Sequence, residues 1–299
     1  MRTMRRVGFA VALLAIIGLI SGCAAAPKPT IKIGFKTFTE QYLLRDMYTL
    51  LLQDAGYTVE QVPGLEETPR LHKALTEDTI DMYIEYTGTA ARRILDITDT
   101  LSPQDTYSLV RQEYLVKYDL MWLDPAPMNN TWSFAMTPTS AAKYNIKTIS
   151  EMVARADQLT VVGDVYFLER EDGIPGMKRA FGNFEFKRYI PVNSDDRYNT
   201  LISSQADVVI AYATDGELFA YNMVLLDDTT SYFPSYQPAP VVRQSLLDDD
   251  ASLAPTLNKL APLLTNSVMQ QLNYEVSSKK RDSMEVAREF LTSSGLLKP

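Results

Sequence analysis

From residue 30 onward, the chain alternates short apolar runs with longer amphipathic segments. Residues 30–36, TIKIGFK, alternate apolar and polar side chains, which is the pattern of a half-buried β-strand. Residues 37–56 repeat apolar side chains at helical spacing and end at Gly56, a residue typical of helix C-termini. The same criteria predict a strand at 57–63, a helix at 68–78 and a strand at 79–88. This β-α-β-α-β order predicts a parallel sheet with right-handed crossovers.

The same order of elements recurs in the second half of the chain. The predicted elements there are strands at 158–167, 184–192 and 206–215 and helices at 173–182 and 193–205. The expected N-caps are Thr39 and Thr68 in the first unit and Asn193 or Ser194 in the second. Residues 253–297 are helical by their spacing, and we expect them to return to the first lobe. Two lobes and a helical return are the layout of a hinged solute-binding protein.

One motif occurs in both units, at the end of the third strand. The stretches ALTEDTIDMYIEYTGT and TLISSQADVVIAYATD align on Asp81 and Asp207, and each has a tyrosine five residues later, Tyr86 and Tyr212. Any helix–strand unit explains the apolar positions, but it does not require the tyrosines. Ligands of open parallel sheets bind beyond the carboxyl ends of the strands, so we expect Tyr86 and Tyr212 on facing walls of a cleft. Strand alternation turns Glu85 away from that cleft.

The first 22 residues are typical of a secretion signal. MRTMRR is basic, VGFAVALLAIIGLI is uncharged and apolar, and the small residues SG precede Cys23, the only cysteine of the chain. The letters ISGC resemble a bacterial lipoprotein cleavage box, which implies that residues 1–22 are removed and that Cys23 carries lipid. Two or more acyl chains would anchor the protein stably, with residues 23–30 as a tether. The alternative is a plain signal peptide with an incidental cysteine.

Size and charge exclude several classes of function. The 299 residues suggest about two domains. Removal of residues 1–22 takes away three arginines and no acid, so the formal net charge changes from −8 to −11. This acidic balance argues against binding to nucleic acid or to anionic lipid headgroups. The net charge does not argue for or against the binding of a small ligand.

The sequence offers little for catalysis. Its single histidine, His72, lies inside a predicted helix, and a lipidated Cys23 leaves no Cys–His pair. The sequence has no glycine-rich phosphate loop and no His/Cys spacing typical of a metal site. Residue counts do not exclude a hydrolase that uses only carboxylates for catalysis, because acidic residues are common. We expect a protein that is not an enzyme and has no cofactor or metal.

Seven stretches of the chain, in order, resemble one protein family. They are IKIGFKTFTEQYLL, LHKAL with DMYIEYTGTA, MNNTWSFAM, YFLEREDGIPGMKRAFG, VIAYATDGELFAY, FPSYQPAPVVR and MQQLNYEV. They resemble the substrate-binding proteins of osmoprotectant ABC importers, which bind glycine betaine, proline betaine, choline or carnitine. The resemblance covers essentially the whole chain after Cys23. It implies an α/β, two-lobed type II periplasmic-binding-protein fold with a hinged cleft between two parallel-type sheets.

The resemblance also implies a division into lobes and a set of partners. Residues 31–128 and 236–299 would form a discontinuous first lobe, and residues 129–235 would form the second. The partners would be a small quaternary-ammonium ligand, an ABC permease with its ATPase subunit and, through lipid on Cys23, a bacterial membrane. The protein would act outside the cytoplasm as a monomer. The alternative is a surface lipoprotein that senses another small cationic or zwitterionic solute without transport.

The ligand site implied by the resemblance has two parts. The rings around the trimethylammonium head would be Tyr86, Trp132, Tyr212 and Tyr236. The groups that meet a ligand carboxylate would be Lys36, Thr89 and Arg170. The family usually has a tyrosine at the position of Trp132, so we expect recognition of the ammonium head to survive while the preferred ligand shifts.

Three of these residues have simpler alternative roles. Lys36 follows a strand and could be an ordinary solvated lysine, and Thr89 could cap the helix that begins AARRIL. Tyr236 sits in FPSYQPAP, a proline-bracketed turn that suits a hinge as well as a ligand site.

Overall fold

The computed structural model describes residues 28–65, 67–169, 173–193 and 196–298. The expected signal segment, the expected lipidation site Cys23 and the expected carboxylate partner Arg170 lie outside these described residues. Ser194, one of the expected helix caps, lies outside them as well.

Two five-stranded sheets form the frame of the described part of the chain. The strands of the first sheet are β1 (Thr30–Gly34), β2 (Thr58–Val62), β3 (Met82–Tyr86), β4 (Leu120–Trp122) and β10 (Pro238–Arg243). The strands of the second sheet are β5 (Trp132–Met136), β6 (Thr160–Gly163), β7 (Arg188–Pro191), β8 (Val208–Tyr212) and β9 (Val224–Leu225). Their spatial orders are β2-β1-β3-β10-β4 and β7-β6-β8-β5-β9. Each sheet and the helices packed on it are called here the first and the second lobe.

Fourteen α-helices connect and cover these strands within the described ranges. Those of the first half are α1 (Thr39–Asp54), α2 (Thr68–Thr76), α3 (Thr87–Arg93), α4 (Pro103–Tyr118), α5 (Pro138–Tyr144), α6 (Ile149–Val153) and α7 (Val165–Glu169). Those of the second half are α8 (Ile174–Phe181), α9 (Arg197–Ile202), α10 (Gly216–Ala220), α11 (Gln244–Asp249), α12 (Leu253–Asn258), α13 (Asn266–Ser277) and α14 (Ser283–Ser293). Apolar side chains of α12, α13 and α14 share one core with α1, so the C-terminal helices pack on the first lobe. In the part of the chain that is described, no helix combines the length and apolarity needed to span a membrane.

Each sheet is mixed, which corrects the expectation of parallel-type sheets. β1 pairs in parallel with β2 and β3, and β6 pairs in parallel with β7 and β8, as the sequence pattern predicts. β10 runs antiparallel to β3 and β4, and β5 runs antiparallel to β8 and β9. Both β5 and β10 are entered by a connection from the other lobe, so the crossover rule for β-α-β units does not set their direction.

The aspartates of the repeated motif have the same role in both lobes. Asp81 accepts a hydrogen bond on Oδ2 from the N–H of Lys32 in β1, at 2.8 Å. Asp207 accepts the equivalent bond from Thr160 in β6, at 2.9 Å. Each aspartate donates its own N–H to the carbonyl of the same partner residue, at 2.8 Å. This reciprocal contact aligns the first and third strands of each lobe and leaves both motif tyrosines at equivalent strand ends.

Three expected helix starts are shifted. Helices α1 and α2 begin at Thr39 and Thr68, because the extended backbone ends one residue earlier, at Phe38 and Glu67. These threonines are therefore helical residues and not caps. The helix expected at 193–205 is shorter and covers only α9, with Asp196 as its N-terminal flanking residue.

Helix α13 contacts the second lobe as well as the first. The side-chain amides of Gln270 and Asn273 donate hydrogen bonds to the carbonyls of Ala213 and Thr214, both at 2.8 Å. Gly216, at the start of α10, approaches the same helix so closely that an added Cβ would lie 2.6 Å from the backbone nitrogen of Tyr274. A glycine permits such a close approach of two backbones because it has no side chain.

Replacement of Gly216 by alanine should weaken this contact between the lobes. The atoms that a methyl group would meet belong to the backbone of Asn273 and Tyr274, so they cannot rotate away. We expect Gly216→Ala to lower the free energy of unfolding by about 1–3 kcal/mol, the usual cost of overpacking. Urea unfolding followed by circular dichroism measures the change, and an unaltered midpoint would show that the two backbones are not in contact in solution.

Candidate functional site

A cleft of about 1080 Å³ lies between the two sheets. Six of the seven residues expected to bind ligand line it, namely Lys36, Tyr86, Thr89, Trp132, Tyr212 and Tyr236. Tyr86 ends a strand of the first lobe and Tyr212 ends a strand of the second, so one cleft joins the two motif copies. The seventh residue, Arg170, lies outside the described residues.

Trp132 and Tyr212 form one aromatic surface in the second lobe. Trp132 begins β5 and Tyr212 ends β8, and the antiparallel register places the two residues directly opposite each other. Their ring centroids lie 4.1 Å apart, with the ring planes at 32°. The buried ring of Phe167, 5.1 Å from that of Trp132, connects this surface to the core. Cross-strand pairing therefore brings together two rings that are distant in sequence.

Tyr86 lies at the end of β3 and is 4% exposed. Its hydroxyl donates a hydrogen bond to Glu40 Oε1 at 2.7 Å, and its ring stacks on that of Phe38 with a centroid distance of 6.3 Å. Burial, followed by the charge of Glu40, raises the pKa of the Tyr86 hydroxyl well above its usual value. The hydroxyl therefore keeps its proton and holds the ring through a donated hydrogen bond.

Tyr236 lies in the connection between β9 and β10, against the start of α3. Its N–H donates to Asn129 Oδ1 at 2.7 Å, and its carbonyl accepts from the Asn130 N–H at 3.2 Å. A Cβ added at Gly88 would lie 3.0 Å from two carbons of the Tyr236 ring and 2.5 Å from the carbonyl oxygen of Ser235. Gly88, in the motif EYTGT, is thus the residue that allows this ring to approach α3. Sequence reasoning singled out the motif but not this role of its glycine.

Lys36 is 8% exposed, so the alternative of a solvated lysine is wrong. Its Nζ donates a hydrogen bond to Glu85 Oε1 at 2.5 Å. Glu85 is fully buried, and it also accepts from the Tyr86 N–H at 2.7 Å and from the Thr68 hydroxyl at 2.9 Å. Glu85 is not among the described residues that line the cleft. Its negative charge nevertheless balances the positive charge of Lys36, which does line the cleft.

Thr89 is the third residue of α3, because that helix begins at Thr87. The residue that flanks the helix start is Tyr86, whose backbone is extended. The alternative in which Thr89 caps the helix is therefore wrong, and Thr89 lines the cleft from the first turn.

A second ion pair lies beside Tyr212 and was missed from the sequence. Arg197, the first residue of α9, donates to Asp215 Oδ2 at 2.6 Å. The same oxygen accepts from the Tyr198 hydroxyl at 2.6 Å and from the Tyr212 N–H at 2.8 Å. Arg197, Tyr198 and Asp215 all line the cleft. The one sequence signal for these residues was the position of Asp215 in AYATDG, three residues after the motif tyrosine Tyr212.

Glu40 is a further buried acid of the lining, 3% exposed, in the first turn of α1. Its Oε1 accepts hydrogen bonds from the Tyr86 hydroxyl at 2.7 Å and from the Asn130 amide at 2.9 Å. Its Oε2 accepts from the Asn273 amide at 3.2 Å. Burial raises the pKa of Glu40, although its hydrogen bonds offset part of the shift. An acid in a first helical turn is ordinarily a partner of the helix dipole, so the sequence contained no signal for this role.

His72 lies in α2 and packs against aromatic rings, with centroid distances of 5.2 Å to Tyr114 and 4.5 Å to Tyr118. Burial lowers the pKa of His72. It does not line the cleft formed by the described residues. Within these residues, no group of three or more His, Cys, Asp or Glu side chains could hold a metal ion.

The fold and the cleft define a two-lobed substrate-binding protein. A crystal structure described as a glycine betaine/carnitine/choline ABC transporter matches with a TM-score of 0.83 and 28% sequence identity, over 89% of this chain and 99% of that one. A family model described as the substrate binding domain of an ABC-type glycine betaine transport system matches residues 29–293. The chain belongs to this family, and the expected type II periplasmic-binding-protein fold is confirmed.

Two relatives show how the chain compares in length. The carnitine transport binding protein OpuCC of Listeria monocytogenes is 31% identical over 291 residues, which cover 95% of this chain and 94% of that protein. The ergothioneine transport permease/ergothioneine binding protein EgtU of Helicobacter pylori is 28% identical over 285 residues, or 95% of this chain and 51% of that protein. The chain therefore corresponds to nearly all of OpuCC and to about half of EgtU.

The raised pKa of Glu40 predicts a pH-dependent contribution to stability. The pKa of a glutamate in the unfolded chain is about 4.3, whereas the pKa of Glu40 in the folded protein is raised. The folded state then binds more protons than the unfolded state, so this stabilisation is present below the unfolded pKa and is lost as pH rises through the folded pKa. We expect the melting temperature of Glu40→Gln, relative to the parent, to increase across the same pH range.

Thermal melting by circular dichroism at several pH values measures this difference. Glu67→Gln is the matched control, because Glu67 is an exposed glutamate of the same cleft lining. A difference between Glu40→Gln and the parent that does not change with pH would contradict the proposed titration of Glu40.

Proposed function

We propose that this protein captures a quaternary-ammonium osmolyte of the glycine betaine type and delivers it to an ABC permease. The observation that carries the proposal is the convergence of Tyr86, Trp132, Tyr212 and Tyr236 on one cleft. The family description names glycine betaine, and the two relatives are named for carnitine and ergothioneine. These three compounds share a trimethylammonium head on a molecule that also carries a carboxylate.

The physical basis is the match between the ammonium head and a ring face. A trimethylammonium group has no N–H donor, so it gains little from ordinary hydrogen-bond acceptors. Its charge is spread over apolar methyl groups, and a ring face is both apolar and negative. Each such contact contributes about 0.5–2 kcal/mol. Four rings could therefore supply a large part of the roughly 8 kcal/mol that micromolar binding requires.

In the proposed complex, the four rings surround the head from both lobes. Trp132 and Tyr212 contribute one surface from the second lobe, Tyr86 contributes from the first lobe, and Tyr236 contributes from the connection between the lobes. A ligand held in this way bridges the lobes, so it stabilises the arrangement in which they face each other across the cleft.

The ligand carboxylate is proposed to meet Lys36, Thr89 and Arg170. An ammonium group has three donors, and Lys36 uses one of them on Glu85, which leaves two for a ligand. Because the buried Lys36–Glu85 pair carries no net charge, Lys36 would contribute hydrogen bonds more than net charge. Thr89 faces the same cleft, and Arg170 lies outside the described residues.

The proposal extends to the cellular context of the protein. The protein acts outside the cytoplasm and has no catalytic cycle, because ATP is hydrolysed by the ATPase subunit that drives the permease. Lipid on Cys23 anchors the monomer to a bacterial membrane. Residues 31–128 with 236–299 form the proposed first lobe, and residues 129–235 form the second.

Truncation of single rings tests the proposed cage. We expect Tyr86→Ala, Trp132→Ala and Tyr212→Ala each to weaken glycine betaine binding by about 3- to 30-fold, equivalent to roughly 0.7–2 kcal/mol per ring. Isothermal titration calorimetry measures the affinities. The ligand panel is glycine betaine, proline betaine, carnitine, choline and ectoine, with glycine as a primary-amine control.

The matched control for this series is Tyr221→Ala. Tyr221 is a tyrosine of the second lobe that is 44% exposed and does not line the described cleft, so its removal should leave the affinities unchanged. Two results would contradict the proposal: binding of glycine alone by the unaltered protein, or equal affinities of Trp132→Ala and the parent for every betaine.

The structural role and the ligand role of Lys36 can be separated with a double variant. Lys36→Met leaves Glu85 buried without its cation, and loss of one partner of a buried ion pair costs about 3–5 kcal/mol. Lys36→Met combined with Glu85→Gln removes both charges, so we expect it to regain most of the lost stability in thermal melting. The double variant should bind glycine betaine more weakly than the parent does. Its affinity for choline, which has no carboxylate, should be unchanged. An equal loss of both ligands would argue against a carboxylate contact.

A further inference from the structure

Two acidic residues, Asp215 of the cleft lining and Glu85 behind Lys36, already have a cationic partner. Glu85 accepts a hydrogen bond from Lys36 at 2.5 Å, and Asp215 accepts one from Arg197 at 2.6 Å. Each pair carries no net charge. Neither pair therefore offers a counter-charge to a cationic ligand.

Glu40 has no cationic partner among the described residues. Its hydrogen-bond donors are the neutral side chains of Tyr86, Asn130 and Asn273. Glu40 is 3% exposed, so solvent compensates its charge only weakly. The other charged residues of the lining that have not been described above are Arg92, Arg93, Glu217 and Lys280, and none of them donates a hydrogen bond to Glu40.

We infer that Glu40 is the counter-charge of the ligand's ammonium head, so that ionisation of Glu40 and binding of a permanently cationic head are coupled. The inference rests on the proposed function and names the residue by which the cleft distinguishes a charged head from a neutral group of the same shape. The coupling passes through Tyr86, whose hydroxyl donates to Glu40 and whose ring is a wall of the proposed cage. A hydrogen bond to a carboxylate polarises the phenol and makes its ring face more attractive to a cation.

Glu40 also has a place for a proton when no cation is bound. The amide oxygens of Asn130 and Asn273 are buried and accept no hydrogen bond in the described part of the chain. Both side-chain amides already donate an N–H to Glu40, so a protonated carboxyl could donate to either amide oxygen after a local rotation. Burial raises the pKa of Glu40, which favours the protonated carboxyl.

The direction of the pH dependence follows from this linkage. A bound cation favours the ionised carboxyl and lowers the pKa of Glu40 in the complex. Affinity for the cation therefore increases with pH up to the pKa in the free protein, and binding below that pH releases a proton. Tyr86 keeps its proton throughout, because its own pKa is raised. Among the charged groups on the elements around Glu40, six are in ion pairs, namely Lys36, Arg45, Asp46, Glu85, Asp215 and Glu275.

Titration with choline and with 3,3-dimethylbutan-1-ol, its uncharged isostere, tests the inference. We expect Glu40→Gln to weaken choline binding by about tenfold or more and to change binding of the isostere by less than about twofold. Glu40→Asp keeps the charge and should keep the preference for choline. Glu60→Gln is the matched control, because Glu60 is an exposed glutamate of the first lobe that does not line the described cleft, and it should leave both affinities unchanged.

Proton release provides a second, independent readout. Calorimetric titrations with choline between about pH 5 and pH 8, in buffers of different ionisation enthalpy, count the protons released on binding. We expect the parent protein to release a proton at the acid end of this range and less as pH rises. Glu40→Gln should show none of this release.

The outcomes distinguish the inference from the function on which it rests. Equal losses of choline and its uncharged isostere in Glu40→Gln, or proton release that persists in that variant, would overturn the inference and leave Glu40 a structural residue. Failure of the unaltered protein to bind either choline or glycine betaine would instead overturn the proposed function. Circular dichroism shows whether Glu40→Gln is folded. If it is not, the test is whether Glu40→Asp still binds choline more tightly than the uncharged isostere, as the inference requires.

Discussion

A charge removed from water is tolerated only where an opposite charge or a set of oriented dipoles compensates it. At this cleft, the compensation also positions the motif tyrosines. Glu85, paired with Lys36, accepts the N–H of Tyr86, and Asp215, paired with Arg197, accepts the N–H of Tyr212. The two lobes thus use the same arrangement, in which a neutralised acid binds the backbone of the ring residue. The positions of Tyr86 and Tyr212 therefore depend on these two ion pairs.

The remaining rings are positioned by the backbone. Trp132 meets Tyr212 through the register of two antiparallel strands, and Tyr236 reaches the cleft because Gly88 has no side chain. The rings therefore stand on strands and on a tightly packed connection, and their separation is set by the packing of the two lobes. The proposed cage would therefore be largely formed before ligand arrives, which would reduce the ordering cost of binding.

Local periodicity was sufficient to predict the β-α-β-α-β units and the strand-end position of Tyr86 and Tyr212. It could not predict the antiparallel direction of β5 and β10, because that direction depends on pairing between segments far apart in the chain. The same reason accounts for the missed residue Glu40, whose partner Asn273 is 233 residues away. Trp132 and Tyr236 were found only through the family resemblance, since no pattern of their own segments marks them.

The chain has two tryptophans, and the structure places them in different surroundings. Trp122 is 1% exposed in the core of the first lobe, whereas Trp132 lies in the lining of the cleft beside Tyr212. Indole emission responds to neighbouring charges and to local polarity. A solute that enters the cleft would therefore change the fluorescence of one indole and leave the other as an internal reference. The protein thus contains its own optical reporter of occupancy, without any added label.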